Sequence, residues 1–401
     1  MHAVCPVADV VSDHATRVPT RHDEIKEGLC MATETRAPSQ RLRLSDVIVV
    51  DADVHAHETP GALAPYCAMP WRRALELLAE VPERYLDVPG FAPKLSLDPP
   101  FPGGFNVRTV TSAVQMKEEL RATSVDIGIL FPDNLLEMAQ LPNEDYAAAL
   151  MRAYNRWLLE EWLEPEPALY GALIAAPQDP AGAAREIERY AGHPKVVAVY
   201  LPNCAVYPLW GHRKYDPIYP AAQEAGLPVM LHSVTAIYPV FPFNIEQFDT
   251  ALARHTVSHA FAMIASMVDI ITTGMPVRFP TLKIAFTEAG VSWVPFIMWR
   301  LDKEYNESRR EVPFLEDKPS TYIKQMYFAT QPVEEPDNPQ DLVTMMSLFG
   351  GEDHVLFASD WPHHDFDHPR QVFDLPLSNE AKRKIMGENA LRLFGIPAPA
   401  K

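Results

Sequence analysis

The chain has 401 residues, 47% of them hydrophobic, and a formal net charge of −18. Its apolar content is ample for a large core, while an acidic surface repels phosphate backbones and anionic lipid, which argues against nucleic-acid and membrane partners. No apolar run is long enough to cross a bilayer, no basic-then-apolar leader opens the chain, and the four scattered cysteines (Cys5, Cys30, Cys67, Cys204) form no CxxC pair, so the expectation is a cytoplasmic protein with neither disulfides nor a Cys-ligated zinc.

Residues 1–44 are polar, lack a sustained apolar period, and read as a flexible N-terminal extension. From Val47 onward a different rhythm begins, and residues 45–401 read as one domain. Short apolar runs alternate with longer amphipathic stretches. The runs are VIVVDAD (Val47–Asp53), VDIGILF (Val125–Phe131), ALYGALIAA (Ala168–Ala176), KVVAVYL (Lys195–Leu201), LPVMLH (Leu227–His232), LKIAFTE (Leu282–Glu288), QMYFAT (Gln325–Thr330) and HVLFASD (His354–Asp360). Helical patterns such as DPAGAAREIERYAG lie between most of them, and the last, NEAKRKIMGENALRLFG, ends on Gly395, where a C-cap belongs. Eight buried strands, each followed by helix, predict an α/β fold, the (β/α)8 TIM barrel. An open doubly wound sheet would normally show a Gly-rich turn after its first strand, and this sequence has none there. The first connection, residues 58–123, is long enough to be an insertion, and the segment His255–Pro280 is also long.

In such a barrel the site is built at the C-terminal ends of the strands. The first run gives Asp51, Asp53, His55 and His57, the fifth His232, the sixth Glu288, and the eighth Asp360 followed by WPHHDFDH. The ends of runs two, three, four and seven carry little chemistry. Singly, His232 could be a satisfied core histidine and Asp360 a turn cap. Together, imidazoles and carboxylates at one barrel mouth suit one divalent metal with mixed nitrogen and oxygen ligands. Burying several acids without a cation would also cost several kcal/mol each. His255 and His259 are four apart on a predicted helix but lack the HExxH glutamate, so no second metal site is expected there.

DADVHAHE, PVMLH, RFPTLKIAFTEAGVSWVP and VLFASDWPHHD together resemble the amidohydrolase superfamily, and within it the group that includes aminocarboxymuconate-semialdehyde decarboxylase and the resorcylate-type decarboxylases. The likeness runs from about Val47 to ENALRLFGI. It implies a metal-centred (β/α)8 barrel whose ion is held by a pair from strand one, a His from strand five and an Asp from strand eight. Those roles would fall on Asp53 or its neighbours, His232 and Asp360. Many members carry a catalytic His at the end of strand six; this sequence has Glu288 there, a departure that weighs against a His-based decarboxylation.

Alternate strand residues share a face and lie roughly 7 Å apart along it, so only two of the four groups on strand one can reach a single ion. Asp53 with His55 is the preferred pair, and His55 with His57 is the alternative. In the first case Asp51 supports the site from deeper in the barrel and His57 sits at the rim, where it could touch substrate, as could His363. The expected metal is Zn, with Mn or Fe as close seconds. Asp360 would serve as metal ligand and acid–base group, and Glu288 would orient substrate or act as a second acid–base group. Hydrolysis of a small amide, ester, lactone or activated C–C bond ranks first. Nonoxidative decarboxylation of a carboxylated aromatic or unsaturated acid ranks second, and a non-catalytic metal-binding barrel third. The expected partner is a small carboxylated substrate. Phe261, Met263, Ile264, Met267, Val268, Ile270 and Ile271 spread round most of one helix, which, with the frequent dimers of the resembled group, suggests a homodimer contact there.

Overall fold

The computed structural model describes residues 42–80, 110–203, 206–233, 247–363 and 365–399. The expected extension, residues 1–44, lies outside them except for its last residues, where Leu44–Asp46 form a short 3-10 turn and Leu44 is buried.

Eight parallel strands pair in chain order: β1 (Val50–Ala56), β2 (Ile127–Pro132), β3 (Leu169–Ile174), β4 (Val196–Pro202), β5 (Val229–His232), β6 (Ile284–Thr287), β7 (Tyr327–Ala329) and β8 (Val355–Leu356). The (β/α)8 barrel is therefore as the alternating pattern predicts. Closure comes from the segment after β8, which bonds back to β1. Ala52 N donates to Phe357 O at 2.9 Å, His55 N to Trp361 O at 2.8 Å, and Asp360 N to Asp53 O at 3.0 Å. Nearly every strand residue is buried, as expected of a parallel sheet wrapped in helices.

Helices follow the strands as α1 (Ala113–Ala122), α2 (Glu144–Trp157), α3 (Pro180–Tyr190), α4 (Ile218–Glu224), α5 (Ala251–Thr272), α6 (Trp293–Ser308), α7 (Pro339–Ser347) and α8 (Asn389–Phe394). Their starts are legible in the sequence. Ser112, Asn143, Asp179, Thr250 and Asn338 each accept a first-turn backbone N–H, and proline follows directly in α3 and α7. Gly395 ends α8 with φ 64°, the left-handed C-cap its position calls for. The described part of the first connection adds a short helix, Trp71–Ala79.

Two boundaries differ from expectation in ways that matter. β1 starts three residues late and runs through His55 to Ala56, because its pairing with β2 continues to Pro132. Asp53 and His55 therefore lie inside the strand and His57 just beyond it. β8 is only two residues long, so Asp360 sits in irregular chain after it.

The helix expected to make a homodimer contact, α5, packs most of its large apolar residues within its own chain. Met263, Met267, Ile270 and Ile271 of α5 are fully buried within a single chain, while Ile264 and Val268 are half-buried. The helix is anchored inward: Asn203 Nδ2 donates to Ala262 O at 3.3 Å, and Ser266 Oγ to Asn203 Oδ1 at 2.6 Å. Met267→Glu is accordingly expected to destabilise the fold, by at least about 3 kcal/mol for an unpaired buried charge, and not merely to separate subunits. Thermal unfolding measures this, and an unchanged Tm would place Met267 at a solvated surface.

Candidate active site

The side chains of Asp53, His55, His232 and Asp360 meet at the barrel mouth, each offering a ligand-type atom, all within 4.8 Å of one another and all buried. His55 Nε2 is 2.9 Å from Asp360 Oδ1 and 3.3 Å from Asp53 Oδ1, and His232 Nε2 is 3.0 Å from Asp53 Oδ1. His57 is not in this group. Its Nδ1 lies 2.5 Å from Asp133 Oδ2, at the end of β2.

The backbone decides which imidazole nitrogen faces the acids. His55 Nδ1 donates to Pro132 O and His232 Nδ1 to Ser233 O, both at 2.6 Å. The Nδ1 protons are thereby committed, and both Nε2 atoms are left facing carboxylate oxygens. A neutral imidazole would point a lone pair at an anion there. The arrangement demands positive charge between these atoms, carried either by protons or by a metal ion. Burial disfavours both imidazolium forms, yet Asp360 and Asp53 raise His55 well above its ordinary value, and Asp53 with Glu288 does the same to His232. Asp53 is pushed up by burial but held below the usual carboxylate range by His232 and His55. Its Oδ2 is buried and has no hydrogen-bond partner among the described residues. Two imidazole nitrogens and two carboxylates, one of them carrying this unused oxygen, fit a divalent cation.

Asp51 lies deeper. It accepts hydrogen bonds from Ser359 Oγ at 2.5 Å, Ser359 N at 2.9 Å and Asp53 N at 3.1 Å, and burial pushes its carboxyl up to about 8. It ties β1 to the segment that carries Asp360.

The acids beyond this group have imidazole partners. His363 Nδ1 is 2.8 Å from Asp360 Oδ1 and its Nε2 is 3.3 Å from Asp133 Oδ1. Burial works against its charge, but Asp360 beside it raises His363 to about 10. Asp360 itself is raised, chiefly by burial. Glu288 lies between two imidazoles, with Oε2 3.2 Å from His232 Nδ1 and Oε1 3.4 Å from His259 Nδ1; against the effect of burial they hold it down to about 2. Glu288 (φ 59°) and Asp360 (φ 61°) both adopt left-handed backbone, which costs a non-glycine residue about 1–2 kcal/mol and persists only where the surroundings enforce it.

Apart from the spacing of HTVSH, no local sequence pattern marks the roles of Asp133, His259, Gln331 and Ser359. Asp133 stands one residue beyond β2 and Gln331 two beyond β7, past strand ends that carry little chemistry of their own. Gln331 Nε2 bonds Asp365 Oδ2 at 2.9 Å and sits 3.4 Å from Asp360 Oδ2. His259, considered only as a second metal ligand, instead turns inward from α5 onto Glu288. The spacing of HTVSH, with both imidazoles on one helix face, was its one signal. His364 lies outside the described residues.

Residues 53–396 match the amidohydrolase family model. A γ-resorcylate decarboxylase from Polaromonas sp. (strain JS666 / ATCC BAA-500) is 27% identical over 264 residues, 61% of this chain and 76% of that protein. Another, from Rhodococcus jostii (strain RHA1), is 24% identical over 350 residues, 80% of this chain and 98% of that protein. Among solved structures, the dihydroxybenzoic acid decarboxylase from Polaromonas sp. JS666, with bound manganese and the inhibitor 2-nitroresorcinol, superposes with a TM-score of 0.64 at 18% identity. It covers 87% of this chain and 97% of its own, a likeness of fold.

Proposed function

The chain belongs to the amidohydrolase family, and from that premise we propose that it is a metal-dependent, nonoxidative decarboxylase of a small carboxylated aromatic acid. The observation that carries the reading is the pair of Nε2 atoms, His55 and His232, aimed at the carboxylates of Asp53 and Asp360 while both Nδ1 protons are spent on backbone carbonyls. Decarboxylation takes precedence over the hydrolysis ranked first from the sequence because the relatives above are decarboxylases.

Asp53, His55, His232 and Asp360 would hold the ion. When bound, it supplies Lewis-acid anchoring of the substrate carboxylate. Zn suits the donor set, and Mn, which the Polaromonas structure contains, suits it equally. Asp360 is the acid placed to protonate the ring carbon that bears the carboxylate, and His363 Nδ1, at 2.8 Å, is placed to restore that proton. As the new C–H bond forms, the C–C bond breaks and CO2 departs. Each turnover consumes one proton. His57 keeps its place at the rim, linked to His363 through Asp133.

The test is product analysis on hydroxybenzoates with metal-loaded protein. CO2 release matched by loss of one carboxyl group is expected. Incorporation of labelled oxygen from water, with no CO2, would return hydrolysis to first place. Elemental analysis of protein purified without added metal identifies the ion.

A further inference from the structure

We propose that Glu288 is a specificity-determining residue: its Oε2 accepts a hydrogen bond from an O–H or N–H group on an aromatic monocarboxylic acid, and His259 holds the carboxylate in position to do so. The inference deepens the decarboxylase reading and takes from it only the substrate's carboxylate.

Glu288 is 5% exposed, and among the described residues its Oε2 has no hydrogen-bond partner. His232 Nδ1 is 3.2 Å away, but it carries one proton and directs it to Ser233 O at 2.6 Å. Oε1 faces His259 Nδ1 at 3.4 Å, and His259 is itself buried in α5. An acceptor left unsatisfied in a buried site costs free energy until a donor arrives. Glu288 offers an oxygen within 4.8 Å of ligand-type atoms of Asp360 and His363, so it borders the space where the acid would be protonated. The left-handed backbone at φ 59° is a further sign that this placement is enforced.

Charge sets the second half of the preference. Among the described residues, the ion-pair partners of Asp53, Glu288 and Asp360 are all imidazoles, with no Lys or Arg. A substrate with a second carboxylate would bring it toward the Glu288 carboxylate, whose ion-pair partners among the described residues include no Lys or Arg to offset the repulsion. A methyl ether in place of a hydroxyl would bring no donor. Both would be rejected because they leave Oε2 unpaired or opposed.

The experiment is calorimetric binding to the full-length, Mn-loaded protein. The probes are 2- and 3-hydroxybenzoate, 2- and 3-aminobenzoate, the matching methoxybenzoates, and benzene-1,2- and 1,3-dicarboxylate. A donor-bearing acid should bind at least about tenfold more tightly than its methoxy counterpart and than either dicarboxylate. Glu288→Gln should bring that ratio down to about threefold or less, and His259→Phe should lower it while leaving metal content unchanged. Equal binding of the donor and methoxy pairs, no binding of any donor-bearing acid, or a ratio that survives in Glu288→Gln overturns the proposal. The wild-type ratio decides even if a variant fails to fold. Failure of every acid to lose CO2 would sink the decarboxylase reading alone, because the binding ratio needs no turnover.

Discussion

Replacing His232 by alanine should strip most of the metal from the protein and reduce turnover by more than about 100-fold, since losing even a supporting residue of a metal site costs about 10–100-fold. His232 is fully buried at the end of β5, its Nδ1 is fixed by Ser233 O, and Asp53 Oδ1 is 3.0 Å from its Nε2. Metal analysis after dialysis gives the answer directly, and full metal content in His232→Ala would remove the residue from the ligand set. The same measurement separates the two candidate pairs on β1. Asp53→Asn should lose metal and His57→Ala should keep it; the reverse pattern would make His55 and His57 the ligands.

Asp360→Asn carries the second large effect. The amide keeps the side chain's shape but has no acidic proton to give the substrate carbon, and general acid catalysis typically contributes about 10²–10⁴-fold. A fall in kcat of at least about 100-fold is expected, with the hydroxybenzoate still bound. Removing the carboxylate also unbalances its contacts, because His55 Nε2 and His363 Nδ1 both face Asp360 Oδ1, at 2.9 and 2.8 Å. Some loss of metal should therefore accompany the loss of turnover. Single-turnover assays in saturating metal separate the two effects, and normal turnover there would transfer the proton-donor role to another group.

The two variants test different properties of one cluster. His232 contributes a nitrogen lone pair whose direction the backbone fixes. Asp360 contributes charge and a transferable proton on a residue held in a costly conformation. A barrel mouth that concentrates both is stable only because each acid has a compensating partner: Asp51 has Ser359, Glu288 has His259, and Asp133 has His57 and His363.

Sequence alone determined the barrel and the main cast of side chains. Alternating strand and helix periods are local properties, and the rule that strand ends converge makes Asp53, His55, His232, Glu288 and Asp360 neighbours from sequence alone. It also named the family, through short motifs whose order is itself sequence information. Only the tertiary structure places Asp53 and His55 inside β1 and His57 beyond it, because the length of β1 depends on pairing with β2 and with the segment around Trp361, some 300 residues away. Likewise, the burial of Met267 within a single chain and the turn of His259 onto Glu288 depend on how α5 packs against the barrel, which a helical period leaves open. Asp133 and Gln331 stand in loops without period, and their roles come from partners that closure of the barrel brings to them. Contacts across such sequence distances are set by the geometry of the closed sheet, and no local pattern of residues encodes them.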